Sequence, residues 1–119
     1  MIKYTHLLSP EMCRLHKNSI FVFGDNLQGW GKGGQAIIRD EPNAYGIPTK
    51  REPNMLPKAF FGDKAEEIEI VKSKIAELKS QHKIIYLPKT PIGSGRARLK
   101  EKSPLIHKLI MEELYASVR

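Results

Sequence analysis

Two glycine-rich segments carry the residue types that hold phosphate. Gly24-Asp25-Asn26-Leu27-Gln28-Gly29-Trp30-Gly31-Lys32-Gly33-Gly34 follows the apolar run Ile20-Phe21-Val22-Phe23. Ile92-Gly93-Ser94-Gly95-Arg96 follows Ile84-Ile85-Tyr86-Leu87-Pro88 after the connector Lys89-Thr90-Pro91. At the carboxyl ends of strands in an open α/β sheet, such loops line the ligand crevice. Glycine lets backbone N–H groups reach phosphate oxygens with no Cβ in the way. Two of them side by side can grip one diphosphate from opposite sides.

Neither segment is a familiar nucleotide fingerprint. Gly29-Trp30-Gly31-Lys32-Gly33-Gly34 satisfies GxGxxG, but the dinucleotide motif needs its first glycine in the turn immediately after the strand, and here four residues separate Gly24 from Gly29. The following strand ends Pro48-Thr49-Lys50, without the acidic residue that would take a ribose hydroxyl. Lys32 is followed by glycine rather than Ser or Thr, which removes the P-loop reading.

The elements that must position these loops follow from pattern and punctuation. Ser9-Pro10-Glu11 has the cap, first-turn proline and acid of a helix start, so a short helix runs to about Leu15 and ends by Asn18. Ile20–Phe23 reads as a central strand covered on both faces. Gln35–Arg39 is a short helix opening on Gly33-Gly34, which turns free N–H groups toward whatever the loop holds. Ala44–Thr49 is a second strand, and 51–63, with Pro53 and Pro57, is a surface loop able to flank a site.

Ala65–Ser80 is a surface helix with Ile68, Val71, Ile75 and Leu78 on one stripe and Glu66 and Glu67 off it. Ile84–Leu87 then forms a strand reached by a right-handed crossover. A last helix, capped by Ser103 with Pro104 behind it, places Leu105, Ile106, Leu109, Ile110 and Leu114 on one face.

At 119 residues and 40% hydrophobic content, the chain is expected to form one domain across 1–119. It lacks a run of roughly 18 apolar residues and an apolar amino-terminal core, so a cytoplasmic location is expected. Cys13 is alone, and His6, His16, His82 and His107 are too far apart to form a metal-spaced pair, so no metal is expected. The net charge of +7 favours polyanionic partners, but it is spread along the chain with few interleaved aromatics, as on a generic solvated surface.

Three ordered segments carry a resemblance: Asn26 to Gly33, Ile47-Pro48-Thr49-Lys50-Arg51, and Pro91 to Leu99. Together they resemble the asparagine-to-glycine loop, strand-end lysine and diphosphate loop of the macrodomains, an ADP-ribose-binding family. The likeness is in particular to DNA ADP-ribosyl glycohydrolase antitoxins and terminal ADP-ribose protein glycohydrolases. It implies a compact three-layer α/β/α sandwich around a mixed, largely parallel sheet.

The resemblance also implies roles. Asn26 would bond the distal ribose, with Gly31, Lys32, Gly33, Gly34 and Thr49 lining ribose and diphosphate. Ile92, Gly93, Ser94, Gly95 and Arg96 would wrap the diphosphate, and Asp25 would meet the adenine amino group or the sugar. Lys50 would be the catalytic residue at the anomeric carbon, activated by burial or a neighbouring cation such as Arg51. No cofactor is implied. The chain departs from the glycohydrolases at Ala97, where the resemblance implies an acid, and Glu101 is the nearest substitute.

Trp30 reads equally as a platform for a base or ribose and as a plug packing its loop. Tyr45, Phe60 and Phe61 read as core or lid residues. The leading functional expectation is binding of ADP-ribose or a related nucleotide, with removal of ADP-ribose from modified DNA or protein by Lys50. Non-catalytic sequestration of an ADP-ribose-derived signalling nucleotide and basic nucleic-acid binding are the alternatives, and a homodimer is compatible with the short chain.

Overall fold

Four strands form a parallel sheet in the order β1-β4-β2-β3, and helices cover both of its faces. The computed structural model describes residues 1–116. In chain order the strands are β1 (Ile2–Thr5), β2 (Ile20–Asn26), β3 (Ala44–Lys50) and β4 (Ile85–Pro88). The α-helices are α1 (Pro10–Leu15), α2 (Ala65–Ser80), α3 (Leu99–Lys102) and α4 (Pro104–Leu114), and 3-10 helices span Gly34–Ile38 and Pro57–Ala59.

The alternation of β2 divides the core. Ile20 and Val22 face a large cluster built with Val71, Ile75 and Leu78 of α2 and Ile106, Ile110 and Leu114 of α4. Phe21 and Phe23 face the other way, onto Cys13 of α1 and Ala36 and Ile38 of the first 3-10 helix. Each large side chain buried in this way contributes about 1.5–3 kcal/mol. Tyr86 of β4 stacks on Phe21 at 4.7 Å between centroids, which extends the smaller core across the sheet.

All three strand pairings are parallel, so the mixed sheet expected from the resemblance is not found among the described residues; antiparallel geometry is confined to one bridge, Lys50 with Phe60. That bridge folds the 51–63 loop back on the end of β3, and the Arg51 N–H donates to the Ala59 carbonyl at 2.8 Å. No helix among the described residues is long and apolar enough to cross a membrane.

Several expectations are corrected in detail. The short helix expected after Gly33 is present as a 3-10 helix. Glu67 lies inside the α2 stripe and is fully buried, because its carboxylate accepts the Gly62 and Lys64 N–H groups and pairs with Arg51. Ser103 makes no side-chain cap of α4. Its hydroxyl donates to Asp63, whose carboxylate takes the Leu105 and Ile106 N–H groups and caps the helix from a distant loop. Leu105, expected on the apolar face of α4, is exposed. Burial pushes the Asp63 carboxyl up, but these hydrogen bonds outweigh it and hold it below the ordinary range.

Candidate functional site

β2 and β4 are neighbours, and their chains leave the sheet toward opposite faces. After β2, Ala36 and Ile38 pack into the Phe21 cluster; after β4, Ile92, Ala97 and Leu99 pack into the Val22 cluster. Divergence of this kind opens a crevice at the carboxyl ends of parallel strands. The two glycine loops therefore lie side by side at this end of the sheet. A Cβ built on Gly24 would lie 3.6 Å from the Gly93 nitrogen and 3.5 Å from Thr49 Oγ1, so the ends of β2, β3 and β4 meet at this point.

Gln35 clamps the two loops together. Its Oε1 accepts the Gly24 N–H at 3.2 Å, and its Nε2 donates to the Thr90 carbonyl at 3.1 Å, spanning from β2 to the connector after β4. Thr49 is buried, and its hydroxyl donates to the Asp25 carbonyl at 3.2 Å, fixing the ends of β2 and β3.

The first loop spends its polar side chains on itself. Asn26 Oδ1 accepts the Gln28 and Gly29 N–H groups, both at 3.0 Å, and its Nδ2 donates to the Trp30 carbonyl at 2.9 Å. Asp25 pairs with Arg39 at 2.6 Å, and the same guanidinium holds the Gly31 carbonyl at 2.7 Å and lies over the Phe23 ring. Asn26 and Asp25 thus fasten the loop in this structure. Gly46 on β3 makes room for the pair, since a Cβ there would stand 2.5 Å from Asp25 Oδ2. Lys32 pairs with Asp40 on the surface. Gly33 and Gly34 are exposed, with nothing within 4 Å of a Cβ built on either, and Gly34 has φ +58°.

The second loop alternates anchors and exposed groups. Ile92, Ala97 and Leu99 are buried; Ser94, Gly95, Arg96 and Arg98 are exposed. The Ile92 side chain is therefore a core anchor, and its backbone hydrogen-bonds the Tyr115 hydroxyl. Ser94 turns back, its hydroxyl donating to the Pro91 carbonyl at 2.6 Å. Among the described residues, the N–H groups of Gly93, Gly95 and Arg96 have no acceptor, and Arg96 has no carboxylate partner. An acid at position 97 would have to sit in the larger apolar core, which fits the alanine there.

Lys50 ends β3 and is only 8% exposed. Its ammonium donates to the Asn54 carbonyl, lies 3.5 Å from Met55 Sδ and sits 5.1 Å over the Phe60 ring. Burial lowers its pKa, and the Arg96 charge lowers it further. Arg51 plays no part in this, because its guanidinium is turned to Glu67 at 2.6 Å and Glu66 at 3.0 Å. The cation that acts on Lys50 comes instead from the second glycine loop. Lys102 of α3 reaches the same Phe60 ring at 5.3 Å. Glu101 is exposed on α3 and bonds to none of these groups.

Elsewhere the chemistry is sparse. Burial pushes the Cys13 thiol up to about 11, so it stays a packed thiol at neutral pH. Among the described residues, no three His, Cys, Asp or Glu gather to hold a metal ion. Shallow hollows of about 340 and 390 Å³ on α2, the second shared with α4, are lined by Glu69, Lys74 and Lys79 among others and involve neither glycine loop.

Arg39 and Gly46 carry no signal in the sequence, because each acts on a partner brought close only by the fold. Gln35 alone offered a hint, as the first polar side chain after Gly33-Gly34. No curated protein and no solved structure matches the chain. Residues 3–113 match a family described as a family of unknown function (DUF7831), and the chain belongs to that family.

Proposed function

We propose that the crevice between the two glycine loops binds ADP-ribose or a related diphosphate nucleotide, in a macrodomain-like three-layer arrangement. One observation carries this reading: at the carboxyl ends of adjacent parallel strands the Gly24 and Gly93 backbones stand so close that a Cβ on Gly24 would touch the Gly93 nitrogen, and Gln35 ties Gly24 to the connector before Gly93. The acceptor-free N–H groups of Gly93, Gly95 and Arg96 and the unpaired Arg96 guanidinium supply donors suited to a pyrophosphate. Calorimetric titration with ADP-ribose tests it, and saturable heat at one site is the expected result. Absence of both heat and thermal shift at millimolar ligand would remove it, and strongly salt-dependent binding to oligonucleotide alone would favour a nucleic-acid surface.

Turnover is the second reading, and the environment of Lys50 favours it. A buried lysine with a lowered pKa beside a cation has a larger share of neutral, nucleophilic amine. In this reading Lys50 attacks the anomeric carbon, the bond to the modified macromolecule breaks with its electron pair on the leaving atom, and water supplies a proton and later frees the ribose. Its ammonium must first leave the Asn54 carbonyl.

Wild type and Lys50→Ala are to be compared on ADP-ribosylated DNA and protein. Loss of release in the variant is expected; equal release by both would exclude Lys50, and none by either would leave sequestration. The sign of the pH dependence is fixed by the neutral amine: rate rises with pH to an inflection below the ordinary 10.5, and Arg96→Gln moves that inflection upward.

A further inference from the structure

We infer that Trp30 is a preset stacking platform for the nucleobase of the ligand held in the crevice; the inference rests on the nucleotide reading above. Trp30 is the chain's one tryptophan, and it is 60% exposed, so it does not plug its loop onto the domain. Glycines in left-handed backbone stand on either side of it, Gly29 at φ +71° and Gly31 at φ +104°, and turn the residue out at the loop tip. Few other residues adopt those angles without strain.

An exposed indole on a mobile tip would lose entropy on stacking, but this one is held at both ends. Its carbonyl takes hydrogen bonds from Asn26 Nδ2 at 2.9 Å and Arg39 at 3.3 Å. Its ring N–H donates to Gln28 Oε1 at 2.9 Å, and Gln28 is itself fixed by Asn26 through its backbone N–H and contacts Glu52 at 3.4 Å. The polar edge of the indole is satisfied while most of the residue remains in water. Preorganisation of this kind lowers the cost of binding a flat aromatic ring, and a nucleobase presents a π-face whatever its identity. The same Asn26 and Arg39 that hold Trp30 hold the glycine loop, so platform and cradle form one rigid unit.

Tryptophan fluorescence reports this residue alone. The intact chain is titrated with ADP-ribose and, in parallel, with inorganic pyrophosphate, which lacks a base, and affinities are measured by calorimetry for wild type and Trp30→Ala. Expected results are quenching by ADP-ribose but not by pyrophosphate, roughly tenfold weaker ADP-ribose binding in the variant, and unchanged pyrophosphate binding. Trp30→Phe should retain most of the affinity. Equal ADP-ribose affinity in wild type and Trp30→Ala without quenching overturns the platform while leaving the crevice reading intact. No heat with either ligand overturns the crevice reading and the platform with it, and quenching by a single-stranded oligonucleotide but not by ADP-ribose also overturns it.

Discussion

Charge and hydrogen bonds hold the loop after β2, whereas burial holds the loop after β4. In the first, Asp25, Asn26 and Arg39 turn inward and leave glycine backbone and Trp30 outward. In the second, Ile92, Ala97 and Leu99 sink into the larger core at irregular intervals, and Ser94, Arg96 and Arg98 stand out between them. The difference shows where a ligand would find its partners. The first loop offers backbone and one aromatic face, because its polar side chains are engaged in its own fastening; the second offers backbone and an unpaired cation. Two glycine-rich sequences of similar appearance are thus held by different means and expose different groups.

The largest test breaks the apolar half. At Gly93 the backbone has φ +82°, and a Cβ would fall 2.7 Å from Leu99 Cγ, so Gly93→Ala meets both conformational strain and a collision with a buried anchor. A left-handed residue with a Cβ costs roughly 1–2 kcal/mol and overpacking roughly 1–3 kcal/mol, so a loss of about 3 kcal/mol in urea denaturation is expected. Gly95→Ala, two residues on, meets nothing within 4 Å and has no left-handed φ. It should change stability by less than about 0.5 kcal/mol. Similar losses in the two variants would mean that the loop is not anchored at Leu99.

The charged half breaks more gently. Arg39 and Asp25 are 14% and 16% exposed at their side chains, between the surface and fully buried cases. Removing one partner of a surface pair costs about 0–1 kcal/mol and of a buried pair about 3–5 kcal/mol. Arg39→Ala is therefore expected to cost about 2 kcal/mol in the same denaturation experiment. Arg39→Lys should recover little, because a single ammonium cannot span Asp25 and the Gly31 carbonyl as the guanidinium does. Full recovery by lysine would show that charge alone, and not the fork, holds the loop.

Periodicity and punctuation made most of the frame readable. The α2 limits, the central strand from Ile20 and the cap at Ser9 are local patterns, and local forces decide them. β1 was missed because Ile2-Lys3-Tyr4-Thr5 is too short to declare itself; its pairing with β4 makes it a strand. α3 was missed for the same reason, as four residues following a left-handed Arg98 at φ +47° carry no period. The site was readable as backbone and not as side chains. Glycine spacing marked both loops, but Asn26 and Asp25 look the same in sequence whether they face a ribose or their own loop. The sequence points to Arg51, next along the chain, as the cation beside Lys50, whereas the fold supplies Arg96 from the second glycine loop.

The smallest effect on stability bears most directly on whether the two halves form one site. Gln35→Ala removes two hydrogen bonds at a half-buried position and leaves the Gly24 N–H without its acceptor, for an expected loss of about 1 kcal/mol. Its effect on ligand should be larger than its effect on folding. If one pyrophosphate bridges both loops, releasing the clamp lets them separate, and calorimetric affinity for pyrophosphate falls by more than the stability change would suggest. Gln35→Glu sharpens the point: the carboxylate keeps the acceptor for Gly24 but gives up the donor to Thr90, and sets a negative charge where phosphate is to sit. Its second oxygen faces the Thr90 carbonyl with no proton between them, so Gln35→Glu should cost at least as much stability as Gln35→Ala and bind pyrophosphate worse than Gln35→Ala does. Unchanged pyrophosphate binding in both variants would mean that each loop acts alone, and that their contact at Gly24 and Gly93 belongs to packing rather than to a site.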